Sequence, residues 1–137
     1  MRILLPIDGS PGAHRAVRHV LNRAKRDAAV EVELVGLEWP SLPDGIGALL
    51  PAVRPGGSAA ASHERDARAL LAMHCIPFHT HRVVGDPART IAEVARRCHC
   101  GEIVMGRLGS NGLMRRVLHS LPERVAGIAR RRVTVVD

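Results

Sequence analysis

Five short runs of branched aliphatic residues, spaced by stretches of helical periodicity, constrain this chain more than any other feature. "RILLPI" at 2–7, "VEVELVGL" at 30–37, "PFHTHRVV" at 77–84, "GEIVMG" at 101–106 and "RVTVVD" at 132–137 read as strands. After the first, Ala13, Ala16, Val17, Val20, Leu21 and Ala24 recur at helical spacing, with Ser10 as cap and Pro11 in the first helical position. A second helix is expected from Ser58 to about His74, with Ala60, Glu64, Ala67, Leu71 and His74 along one side. In "GDPARTIAEVARRC", Asp86 caps, Pro87 opens, and Ala88, Ile91, Ala92 and Ala95 face inward. "SLPE" at 120–123 is a capping box that starts the last helix, Ser120 meeting the Glu123 amide and Glu123 reaching back.

Alternating strands and helices in one small chain give a parallel sheet covered on both faces. Right-handed crossovers then restrict the topology to a doubly wound α/β sandwich, flavodoxin-like or Rossmann-like in outline. With 137 residues, the expectation is a single domain over 1–137. From Glu38 to Gly57 four prolines and four glycines occur without a period, which reads as a loop of about twenty residues. Ligands of such sheets sit beyond the carboxyl ends of the strands, where the strand order reverses. The candidate segments are therefore "DGSPG" after the first strand and "GRLGSNGLMRRVLHSLPER", 106–124, after the fourth.

Composition narrows the partners. Apolar residues make up 46% but aromatics only 1%, with one Trp, one Phe and no Tyr, so the core is aliphatic. Base-stacking surfaces are scarce, and nucleic acid is not an expected partner. The net charge of +7 is carried almost wholly by arginine and spread along the chain. Three cysteines, Cys75, Cys98 and Cys100, are too few for a disulfide framework. Ile3 to Ile7 is too short for a signal-peptide apolar core, and no run of eighteen apolar residues spans a membrane. A soluble, cytoplasmic protein is expected.

Gly106 and Gly109 lie immediately beyond the fourth strand, followed by Gly112. Glycine lets a backbone approach a phosphate closely or adopt positive φ, because no Cβ intervenes. A capped helix start at Ser120 adds free amides and a dipole suited to an anion. The same arrangement also occurs with nothing bound. No GxxxxGK(S/T) is present, and no GxGxxG follows the first strand, so neither a P-loop nor a dinucleotide fingerprint applies.

Over its full length the chain resembles the universal stress protein family. The resemblance rests on "ILLPIDGSPGAHRAV", on the long loop after the second strand, on "VVGDPARTIAEVA", and on "IVMGRLGSNGLMRRVLHSLPERVAGIARRRVTVV". The last segment is similar to the family's nucleotide motif, G-x2-G-x9-G-S/T. The resemblance implies a five-stranded, doubly wound domain of adenine nucleotide alpha hydrolase-like fold. It also implies a homodimer through the C-terminal strand and, in members that keep the motif, ATP binding, with Mg as a possible companion. Carried over, Asp8 contacts the ribose, Leu37 and its neighbouring backbone frame adenine, and Met105 precedes the motif. Gly106 and Gly109 are the first two motif glycines, and Ser120, with Leu121 beside it, is the final hydroxyl position. His119 stands where the motif has its third glycine. It either crowds the phosphates or donates a hydrogen bond to them.

His74, Cys75, His79, His81, Cys98, His99 and Cys100 are ligand types that suit zinc or copper. Buried cysteine is also an ordinary small apolar residue, and no metal site is assigned on the sequence. No nucleophile–base pair stands beside Asp8, so no catalytic residue is assigned, and any ATPase activity is expected to be slow. The reading favoured by the residues is a stress-response regulator that binds ATP. The alternative is a family member without nucleotide that acts as a dimeric protein–protein interaction module.

Overall fold

The computed structural model describes residues 1–38, 58–107 and 121–137. The elements run β1 (Arg2–Ile7), α1 (Pro11–Ala24), β2 (Glu31–Glu38), α2 (Ser58–Met73), β3 (Phe78–Val84), α3 (Pro87–Arg97), β4 (Glu102–Gly106), α4 (Leu121–Ala129) and β5 (Arg132–Val136). The five strands form one sheet in the order β3-β2-β1-β4-β5, with every pairing parallel. The order reverses between β1 and β4, which puts the switch point at the loops that follow those two strands.

Paired residues of a parallel ladder share a face, so the register divides the sheet. Ile3, Leu5, Val32, Leu34 and Val104 lie on the face covered by α1 and α2. Leu4, Val35, Ile103 and Met105 lie on the face covered by α3 and α4, which also pack on one another. All nine residues are fully buried, and the core is aliphatic throughout. At roughly 25 cal/mol per Å² of apolar surface removed from water, this double-sided burial dominates the stability.

Helix starts follow the sequence closely. The Ser10 hydroxyl accepts from the Ala13 amide at 3.2 Å, and the Asp86 carboxylate accepts from the Arg89 amide at 3.1 Å, each ahead of a proline in the first turn. Helix ends depart from what glycine placement suggests. At the end of α2 the Ile76 amide donates to the Leu71 carbonyl and Cys75 to Ala72; at the end of α3 Cys100 donates to Ala95 and His99 to Arg96. Both are Schellman closures whose left-handed residue is not glycine: Cys75 and His99 each have φ 54°. His74, expected on the same side as Leu71, is exposed, because the chain has already left α2 at Met73 and the turn swings it outward. Glu64, Ala67 and Leu71 are buried as expected.

Among the described residues three carboxylates lie inside this fold, each matched to arginine. Glu64 pairs with Arg82 at 3.3 Å, Glu102 with Arg23 at 2.5 Å, and Glu33 with Arg2 at 3.6 Å. A buried charge of this kind is tolerated only when paired.

Candidate functional site

The switch point is built from main chain. β1 ends at Ile7 and Asp8 follows, half-buried, with its Oδ1 accepting from the Ser10 amide at 2.9 Å. Gly9 adopts φ 84°, a conformation that glycine reaches without strain, and so turns the chain into α1. The first turn of α1 then meets the end of β4 backbone to backbone. A Cβ at Gly106 would stand 1.9 Å from the Gly12 carbonyl oxygen, and a Cβ at Gly12 would stand 2.0 Å from that of Arg107. Only a glycine at both positions lets the two segments touch. Asp8, the amino end of α1 and the exit of β4 are thereby fixed as one unit.

The dipole of α1 presents its positive end here, beside the capped first turn, which favours a negatively charged group. Arg107, one residue past Gly106, donates to Glu123 of α4 at 3.0 Å and lies 3.7 Å from Asp137. The Glu123 hydrogen bond, followed by the nearby carboxylate charges, holds the Arg107 guanidinium above its usual pKa. The exit of β4 is thus tied to α4 and to the end of the chain.

Of the residues singled out on the sequence, Asp8 and Gly106 come together at this point through Gly12. Leu37, Met105 and Leu121 are core residues, at 8%, 0% and 0% exposure. Gly109, Gly112, His119 and Ser120 lie outside the described residues, as do 39–57 of the long loop. Two contributors went unread in the sequence. Gly12 reads as part of a turn signal, and only the fold sets it in a first helical turn against a second glycine. Arg107 is a motif "x" position, and only the fold brings it to Glu123.

A groove of about 890 Å³ runs between the exit of β3, α3 and the end of α4, and shares no residue with Asp8, Gly12 or Gly106. The candidate site at the switch point stands apart from that groove.

Of the histidines and cysteines, Cys75 and His99 serve as left-handed helix ends and are exposed, as is His74, whose Nδ1 lies 2.9 Å from the Leu70 carbonyl. Cys100 is fully buried in the core, where desolvation pushes its thiol up to about 12. Cys98 is half-buried, and desolvation followed by the charge of Glu33 also raises its thiol. His79, His81 and Cys98 remain, and they gather around Glu33.

Comparison with known proteins matches this arrangement over its full length. The profile of the universal stress protein family covers residues 1–137. The universal stress protein MJ0531 of Methanocaldococcus jannaschii is 32% identical over 143 residues, spanning 98% of this chain and 81% of the relative. Among solved structures, a universal stress protein in complex with cAMP superposes with TM-score 0.71 at 22% identity, covering 100% of this chain and 97% of its own. The universal stress protein of Archaeoglobus fulgidus in complex with dAMP superposes with TM-score 0.66 at 20% identity, covering 100% and 98%. At such identities the structures establish a shared fold, while the family profile and the M. jannaschii relative establish descent: the chain belongs to the universal stress protein family.

Proposed function

We propose that this chain is a single-domain regulatory protein of the stress response that binds an adenine nucleotide, ATP with Mg, at the switch point. The observation that carries the reading is the paired-glycine contact between α1 and β4, which brings Asp8 and the helix dipole to the exit of β4, where the glycine motif begins in the sequence. Asp8 would accept from ribose hydroxyls, and Gly106, Gly109 and Ser120 would serve the ribose and phosphates through amides and a hydroxyl. Leu37, Met105 and Leu121 would contribute main chain and packing, because their side chains are buried. Related proteins solved with cAMP and dAMP support the ligand class.

A homodimer through β5 belongs to the same reading. β5 is an edge of the sheet, and Val133, Thr134, Val135 and Val136 are all only half-buried, which leaves a strand for a twin to cover. No described helix is long and apolar enough to cross a membrane, in keeping with a proposed cytoplasmic location. His119 at the third motif glycine favours a second reading, a member that works by protein contact without nucleotide.

Thermal unfolding with Mg-ATP separates the two. Ligand at 100 times its Kd adds about 2.7 kcal/mol, a shift of several degrees, whereas an unchanged melting temperature at millimolar ATP favours the second reading. Asp8→Asn keeps an acceptor for the Ser10 amide and should weaken ATP about tenfold or more. His119→Gly tightens ATP if the imidazole obstructs and loosens it if the imidazole donates.

A further inference from the structure

Glu33 of β2 gathers potential ligands from β3 and from the end of α3 at the amino-terminal half of the sheet. The alternation of β2 sends its side chain to the face covered by α3 and α4, where the side chain is only 5% exposed. Its Oε2 lies 2.6 Å from Nε2 of His81, and its Oε1 lies 3.4 Å from Nδ1 of His79. Sγ of Cys98, at the end of α3, lies 3.8 Å from the same Nε2 of His81. A Glu33 carboxylate oxygen, His81 Nε2 and Cys98 Sγ all fall within 4.8 Å of one another.

We propose that Glu33, His81 and Cys98 form a binding site for a divalent cation of the zinc type. One thiolate, one imidazole and one carboxylate are a borderline-soft donor set, suited to zinc and unsuited to calcium or magnesium. Zinc–sulfur bonds of about 2.3 Å and zinc–nitrogen bonds of about 2.0 Å at the tetrahedral angle put the two ligands roughly 3.5 Å apart. The Cys98–His81 separation of 3.8 Å is already close to that. The Glu33–His81 pair stands at hydrogen-bonding distance and must open by under about 1 Å to admit the ion. His81 lies on an edge strand with its side chain 31% exposed, so the imidazole has room to yield.

The surroundings fit a single ion. Arg2 donates to the Cys98 carbonyl at 2.8 Å, which fixes the backbone that carries the thiol, and also pairs with Glu31 at 3.1 Å. Arg2 and Arg97 are the cations that bear on Cys98, set against Glu33 and the thiolate that binding would create. On binding, the thiol proton leaves to solvent and the His81 proton resides on Nδ1. His79, with a side chain 72% exposed, or a water completes the fourth position. The site lies on strands β2 and β3 below their carboxyl ends, away from Asp8 and Gly106. It stands or falls independently of nucleotide binding.

The test uses the full, untagged, metal-stripped chain titrated with Co²⁺ and then with Zn²⁺. The expected result is one equivalent of cobalt with a thiolate-to-metal charge-transfer band, displaced by zinc, and a rise in melting temperature with zinc. Cys98→Ser should abolish the band and weaken binding on the order of 100-fold. His81→Gln, on an edge strand, should weaken it comparably and covers the case in which Cys98→Ser does not fold. Cys75→Ser should leave band and affinity unchanged. Absence of the band at stoichiometric cobalt, its persistence in Cys98→Ser, or its loss in Cys75→Ser would each overturn the proposal.

Discussion

The two ends of this sheet solve opposite problems. At the carboxyl end, between β1 and β4, the chain removes side chains: Gly12 and Gly106 let two backbones touch, and Asp8 is the only ionisable side chain in the turn from β1 to α1. Toward the amino end, between β2 and β3, it concentrates them: a buried carboxylate draws in two imidazoles, a guanidinium and a thiol. The first arrangement tolerates no added atom, because main chain cannot rotate away. The second is held by polar pairs, whose loss is graded because Arg2 keeps Glu31 and His81 keeps Cys98.

Substitution at the carboxyl end should therefore have the largest effect. Gly106→Ala sets a methyl 1.9 Å from a carbonyl oxygen and should cost about 3 kcal/mol or more, read as a lower urea midpoint or loss of the folded state. A cost under 1 kcal/mol would mean that α1 and β4 can part, and the contrast between the ends would fail. Glu33→Gln should cost less, roughly 1–3 kcal/mol without metal, because Arg2 keeps Glu31. If it proves the costlier of the two, the polar cluster rather than the glycine pair organises the fold.

The smallest effect is expected at Asp86. This residue caps α3 and accepts from Arg124 of α4 at 2.9 Å. The Arg124 hydrogen bond and then the Arg89 amide hold its carboxyl below the usual range. A depressed folded-state pKa contributes stability that is present above the unfolded value of about 3.9 and lost as pH falls through the lower folded one. Asp86→Ala should thus cost about 1 kcal/mol at neutral pH, mostly from the cap, since an exposed ion pair adds little. The gap to the parent should close below about pH 4, which melting curves against pH would show.

The same contrast explains what could be read from residues alone. All five strands were legible to within one residue at each end, because an aliphatic run between turn signals carries its own evidence. Ser10, Asp86 and the inward residues of α3 were legible because capping and helical periodicity are local. The placement of Asp8 and Gly106 at the switch point was legible through a motif, a sequence record of backbone constraints. The role of Gly12 was not, since its partner lies more than ninety residues away. Glu33 was harder still. In "VEVELV" an alternating glutamate looks like a solvated face, and only the return of α3 over β2 and β3 buries it. The period-two pair His79 and His81 did place two imidazoles on one face, and both reach that carboxylate.

The left-handed turn at His99 has a further consequence, in reactivity. By reversing the chain between Cys98 and Cys100 it sends one thiol toward the polar cluster and the other into the core, while Cys75 stands on the surface. The three sulfurs form a graded series for alkylation: one open at once, one half-shielded at the end of α3, and one reached only when the core opens. This chain therefore carries its own clock for local and global unfolding, legible by mass without a label being engineered in.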